Sequence, residues 1–242
     1  MDTIKIEKKN VKMIAHRGLS GIIQENTIPA FNLAASRSYF GIETDVHVTK
    51  DGKYIICHDD NLQRVAGVDM IIEQSNYDDL RNVRLFNKDG SMSDDLYLPN
   101  IEEYITICRD NNKVSVLELK NQMTEENIIE IVNIVKKLNH YENTIFISFA
   151  YENLVYCKKN FVDINCQFLI DINTTEKREF ALNFAKTYNV DLDLYFGPVT
   201  KDFIDLCKEN NIKVNVWTVD DPNKAKELIA NNVDFITSNI LE

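Results

Sequence analysis

No apolar run in this sequence approaches the roughly 18 residues that a membrane-crossing helix needs. The first ten residues, MDTIKIEKKN, lack the apolar core of a secretion signal. Neither stable membrane insertion nor export is therefore expected. A basic excess is missing too: Lys and Arg number 27 against 38 Asp and Glu, a formal net charge of −11. Such a chain cannot neutralise a phosphate backbone, which excludes nucleic acid and anionic membranes as general partners. An anionic small molecule would have to meet a local cation. Cysteines are scarce. Cys57, Cys108, Cys157, Cys166 and Cys207 are odd in number, scattered, and form no C-x-x-C. That spacing argues against a disulfide framework or a zinc site, and for buried thiols in a reducing cytoplasm. No Pro/Gly/Ser-rich linker and no internal repeat divides the 242 residues, so one domain is expected over 1–242.

What is present is a steady alternation. Short apolar runs at 11–16, 41–48, 113–120, 144–149, 166–170, 191–195, 213–219 and 233–237 read as strands. Stretches of helical period lie between them, at about 27–38, 98–110, 124–138, 151–159, 175–188, 199–210 and 222–231. Thr27 with Pro29, and Asp220 or Asp221 with Pro222, mark helix starts. An Asp51-Gly52 turn leads into a hairpin strand at 53–58. Residues 60–97 are polar and Asn/Asp-rich, and read as an irregular insertion in one loop. Eight strands with crossover helices predict a closed, parallel TIM (β/α)8 barrel, with an open doubly wound sheet as the alternative. Only five residues follow Thr237, so the eighth helix is expected to be short or missing.

The polar residues fall where a barrel keeps its chemistry, at the C-terminal ends of strands. The second strand, GIETDVHV, puts Glu43, Asp45 and His47 on one face. The third ends in Glu118-Leu119-Lys120, the first in His16-Arg17-Gly18, and the hairpin in His58-Asp59. Glu43, Asp45 and Glu118 form an all-oxygen set suited to Mg²⁺ or Ca²⁺, which would let the like charges share one place. The competing reading is a set of ion pairs to Arg17 and Lys120. His16 and His58 are the natural proton-transfer pair, and Arg17 and Lys120 the cations for an anionic substrate. His47 is either a supporting residue or solvated. Asp193, on one face with Asp191, is either substrate-facing or structural. The only tryptophan, Trp217, ends the seventh strand.

The segments AHRG, ENTIPAF, GIETDVHVTKDG, the following HD, LPNIEE, LELK, VNVWTV and VDFITS occur in this order over essentially the whole chain. Together they resemble the glycerophosphodiester phosphodiesterases. The resemblance implies a TIM barrel that hydrolyses glycerophosphodiesters to glycerol 3-phosphate and an alcohol. It implies a divalent cation on Glu43, Asp45 and Glu118, and His16 and His58 as general acid and base. Arg17 and Lys120 would bind phosphate, and Trp217 would line the substrate pocket. Two departures stand out. The last strand reads DFITSNILE, with Ser238 in place of the family's aspartate and no proline, and Ser148-Phe149-Ala150 lacks an acidic or amide third residue. Two other functions compete: a phospholipase-like barrel that releases a cyclic phosphate, and a barrel that binds phosphorylated alcohols without turnover.

Overall fold

The computed structural model describes residues 2–242. In chain order the first elements are β1 (Lys12–Ala15), α1 (Ile28–Ala35), β2 (Gly41–Val48), β3 (Tyr54–Ile56), α2 (Gln63–Ala66) and α3 (Tyr77–Arg81). Then come β4 (Arg84–Phe86), β5 (Met92–Tyr97), α4 (Ile101–Asp110), β6 (Val114–Leu119), α5 (Glu125–Lys137), β7 (Thr144–Ser148) and α6 (Tyr151–Asn160). The last are β8 (Asn165–Ile170), α7 (Thr175–Tyr188), β9 (Asp191–Tyr195), α8 (Lys201–Glu209), β10 (Val214–Trp217), α9 (Pro222–Ala230) and β11 (Phe235–Ser238).

Eight of these strands close a parallel ring in the order β1, β11, β10, β9, β8, β7, β6, β2, and β2 returns to β1. This is a TIM barrel, and closure removes the open-sheet alternative. Strand β2 forks: Gly41 and Ile42 pair with β1, whereas Val46 to Val48 pair with the antiparallel β3 outside the ring. Two cores follow from the alternation of side chains along each strand. Ile14, Val116, Ile147, Leu169 and Phe235 pack inside the ring. Leu117, Leu119, Phe146, Phe168 and Leu192 face outward and pack under the helices. Two helix starts are capped by side chains as the spacing predicts, Thr27 taking the amide of Ala30 and Asp221 that of Asn223, and Asn100 adds a reciprocal box with Glu103. No helix follows β11 among the described residues, and none there is long and apolar enough to cross a membrane.

Asparagine supplies the left-handed turns that end the helices. Asn112, Asn139, Asn189, Asn211 and Asn232, just past α4, α5, α7, α8 and α9, have φ of 54°, 56°, 51°, 58° and 63°. Its short polar side chain tolerates that region better than other L-residues.

The insertion departs from expectation. Residues 60–97 are not irregular: they hold α2, α3 and the β4–β5 hairpin. They build a separate small core from Leu62, Val65, Ile72, Leu80, Leu85 and Leu96, against Ile55 and Leu98.

Candidate active site

Register builds the acidic cluster. Parallel pairing of β2 with β6 sets Asp45 directly beside Glu118, with Glu43 two residues back on the same face of β2. One carboxylate oxygen from each of Glu43, Asp45 and Glu118 lies within 4.8 Å of the others, and all three residues are buried. Two cations lean on this cluster. Lys120 Nζ is 2.9 Å from Glu118 and 3.6 Å from Asp45, and Arg17 Nε is 3.6 Å from Asp45. The ion pairs to Arg17 and Lys120 therefore exist, but they do not balance the site.

The imbalance shows in the proton affinities. Burial works against the Asp45 carboxylate, yet Arg17 and then Lys120 outweigh it and hold Asp45 at about 2. Burial and then Asp45 push Glu118 up to about 7, and the same two causes raise Glu43 well above the usual range. Asp45 Oδ1 is buried without a hydrogen bond. Three hard oxygen donors short of positive charge fit a divalent cation, and their chemistry suits Mg²⁺ or Ca²⁺ rather than a thiolate-seeking metal.

The first loop locks these groups in place. Arg17 sits at φ 54°, a rare region for a side-chain-bearing residue. This aims its amide at Glu43 Oε2, 2.8 Å away. Next to it, Gly18 has φ +74°, and a Cβ there would lie 2.8 Å from the backbone of Ala30. Only glycine fits. Asn26, buried, donates to Asp45 Oδ2 at 2.8 Å and accepts from Thr44 at 2.7 Å.

His16 and His58 face the same cavity, which is also lined by Arg17, Glu43, Glu118, Phe149, Asp193 and Trp217. The Asn239 amide nitrogen donates to Asp220 at 2.6 Å, which turns its Oδ1 toward His16 Nδ1 at 2.8 Å. His16 therefore donates from Nδ1, and Nε2 is the nitrogen left for chemistry. His58 likewise donates from Nδ1 to Asp59, at 2.7 Å. Burial and then the Arg17 cation push His16 down to about 4. Burial works against the Asp59 carboxylate, but Arg64 and His58 offset it and keep Asp59 at about 2.

The remaining sequence candidates separate. Trp217 lines the cavity, its indole N–H donating to Asp193 O at 3.3 Å. Asp193 faces the same cavity with Oδ1 unpartnered, whereas Asp191 accepts from the amide of Lys213 at the opposite end of the barrel. His47 is fully buried, 3.5 Å from Glu73, so the solvated reading of it is wrong. Strand pairing explains this: β3 and the insertion cover that end of β2. Sequence reasoning gives no role to Glu25, Asn26, Arg64 or Asn239, and reads Asp220 only as a possible helix cap, a place that Asp221 takes. Glu25 and Asn26 lie in or beside segments already singled out, and that adjacency was the one available signal.

Known proteins share this architecture and sequence. A glycerophosphodiester phosphodiesterase of Caldanaerobacter subterraneus subsp. tengcongensis is 27% identical over 226 residues, covering 93% of this chain and 92% of its own. The crystal structure of a glycerophosphodiester phosphodiesterase from Parabacteroides distasonis is 27% identical, with a TM-score of 0.78 over 96% of this chain and 94% of its own. An Oleispira antarctica phosphodiesterase, solved with the product sn-glycerol-3-phosphate, has the same fold at 24% identity, with a TM-score of 0.83 over 95% and 93% of the two chains. The family match itself runs over residues 16–241, from the first histidine of the cavity to the strand that closes the ring, and the chain belongs to the glycerophosphoryl diester phosphodiesterase family.

Proposed function

We propose that this protein hydrolyses glycerophosphodiesters to glycerol 3-phosphate and an alcohol, and that its described residues work as one catalytic domain. The observation that carries the reading is one cavity at the barrel mouth lined by both histidines, Arg17, Glu43 and Glu118, with Asp45 completing the carboxylate cluster and Lys120 paired to it. A divalent cation, Mg²⁺ or Ca²⁺, held by Glu43, Asp45 and Glu118 would supply positive charge to the phosphoryl oxygens and lower the barrier to attack. Arg17 and Lys120 bind the phosphate, Arg17 through its planar fork and Lys120 as a point charge. Each histidine is anchored through Nδ1–H, so each presents Nε2 to the substrate. One accepts the proton of the attacking oxygen, and the other delivers a proton to the departing alkoxide. Trp217 and Phe149 flank the cavity on one side, their rings packed edge to face. The five cysteines are buried free thiols, which supports a cytoplasmic setting.

The deciding experiment incubates the purified protein with a panel of glycerophosphodiesters, with and without added Mg²⁺ or Ca²⁺, and identifies the products by chromatography. Glycerol 3-phosphate plus the free alcohol is the expected outcome. A cyclic glycerophosphate as end product would point to the phospholipase-like reaction. Tight binding without turnover would leave only a binding barrel.

A further inference from the structure

Arg64 belongs to the insertion and stands outside the groups assigned so far. It lies on α2, half exposed, and its guanidinium grips two carboxylates at once. Nε and Nη2 donate to Asp59 at 2.6 and 3.0 Å. Nη1 and Nη2 donate to Glu25 at 3.0 and 2.7 Å. On each carboxylate the oxygen that takes Nη2 of Arg64 also takes a hydrogen from a group of the cavity. Asp59 takes the Nδ1–H of His58 at 2.7 Å, and Glu25 takes Nη1–H of Arg17 at 2.9 Å.

We infer that Arg64 is a positioning residue that sets the His58 imidazole and the Arg17 guanidinium together. The inference rests on the phosphodiesterase reading of the cavity. Its physical basis is geometric. Asp59 and Glu25 are like charges brought together by the fold, and only a planar cation with donors on three nitrogens can hold both in fixed orientation. Without it each carboxylate is free to rotate, and the ring and the guanidinium they orient rotate with them. A lysine supplies the charge but not the fork. Half-exposed ion pairs contribute little to global stability, so a role confined to stability would leave little trace on replacement. A positioning role leaves a large one, because small misplacement of reacting groups is costly. This assigns the insertion a part in the reaction: it delivers the guanidinium that ties two neighbouring loops of the mouth.

The test compares wild type with Arg64→Ala and Arg64→Lys. Both variants should lose about 10–10²-fold in kcat/KM, the scale seen when outer partners of a site are removed. The loss should divide between kcat, through His58, and KM, through Arg17. Millimolar guanidinium chloride should restore part of the activity of Arg64→Ala, whereas methylammonium chloride should not. A second readout needs no turnover: the low-field proton resonance of His58 Nδ1–H should broaden or vanish in Arg64→Ala and return with guanidinium. Wild-type kcat and KM in Arg64→Ala would overturn the inference, as would an unchanged His58 resonance. So would activity loss that guanidinium does not rescue and that tracks a fall in melting temperature. An inactive wild type would defeat the phosphodiesterase reading instead, and the resonance would still decide the role of Arg64.

Discussion

Two arcs of the barrel mouth are built on different principles. Strands β1, β2 and β6 bring His16, Arg17, Glu43, Asp45, Glu118 and Lys120, and most of these polar heads are tied by hydrogen bonds or ion pairs. Strands β7, β9 and β10 bring Phe149, Tyr195 and Trp217, whose rings meet edge to face or tilted, with centroids 5.5 and 5.7 Å apart. One indole hydrogen bond apart, packing alone holds this second arc. The difference divides labour. Charge geometry must be fixed before substrate arrives, because reorganising it during reaction is costly. An aromatic wall needs only surface, and Phe149 and Tyr195 stay 50% and 38% exposed, free to meet substrates of different shape. On this view chemistry belongs to the charged arc and tolerance to the aromatic one.

The sharpest way to break that division is to strip divalent cations. Dialysis against EDTA should lower turnover by about 10³-fold or more, with recovery on adding Mg²⁺ or Ca²⁺. Full activity in metal-free protein, verified by elemental analysis, would sink the ion-centred view of the charged arc. Next in size are the histidines. His16→Ala and His58→Ala should each reduce kcat by about 10²–10⁴-fold in steady-state assays, and the double variant should lose less than the product of the two. Near-normal kcat in either single variant would remove that residue from the reaction. On the aromatic arc, Phe149→Ala should raise KM by about tenfold at most, leave kcat nearly unchanged and keep stability within about 0.5 kcal/mol. A kcat effect as large as that of the histidines would erase the contrast between the arcs.

The smallest effect is a linkage between pH and stability. Glu43 and Glu118 hold protons in the folded state at pH values where the unfolded chain has released them. Folded protein then binds more protons than unfolded, so this cluster makes the cation-free protein less stable as pH rises from the usual glutamate range through about 7. A bound cation takes over from those protons. Its stabilising shift in melting temperature should therefore be larger near about pH 8 than near about pH 5. A shift independent of pH in scanning calorimetry would mean that the carboxylates are not under this stress.

The ring was legible because buried parallel strands write themselves as short apolar runs, and because Thr27, Pro29, Asp221 and Pro222 punctuate the helices. The acidic cluster was legible because one strand, β2, carries two of its three members at a two-residue spacing. The insertion was not. Its helices are four and five residues long, too short to display a period. The parts played by Arg64, Asp220 and Asn239 at the site were invisible for another reason. An isolated polar residue in a loop looks the same whether it is solvated or holds a histidine, and only the fold brings Asn239 within 2.8 Å of His16 across 223 positions. Ser238 itself stays one residue away from the chemistry: its Oγ donates to Asp220, and it is Asn239 that reaches the imidazole of His16.

The private core of the insertion has a thermal consequence. Leu62, Val65, Ile72, Leu80, Leu85 and Leu96 form a packing unit distinct from both cores of the barrel. A unit of that kind opens cooperatively at a lower free energy than the whole molecule. On heating it should open first and take Arg64 with it while the ring of strands still stands. The enzyme would then fall silent before it melts: loss of turnover would precede the calorimetric transition, and amides at 62–97 would exchange with solvent well before those of β6 and β7.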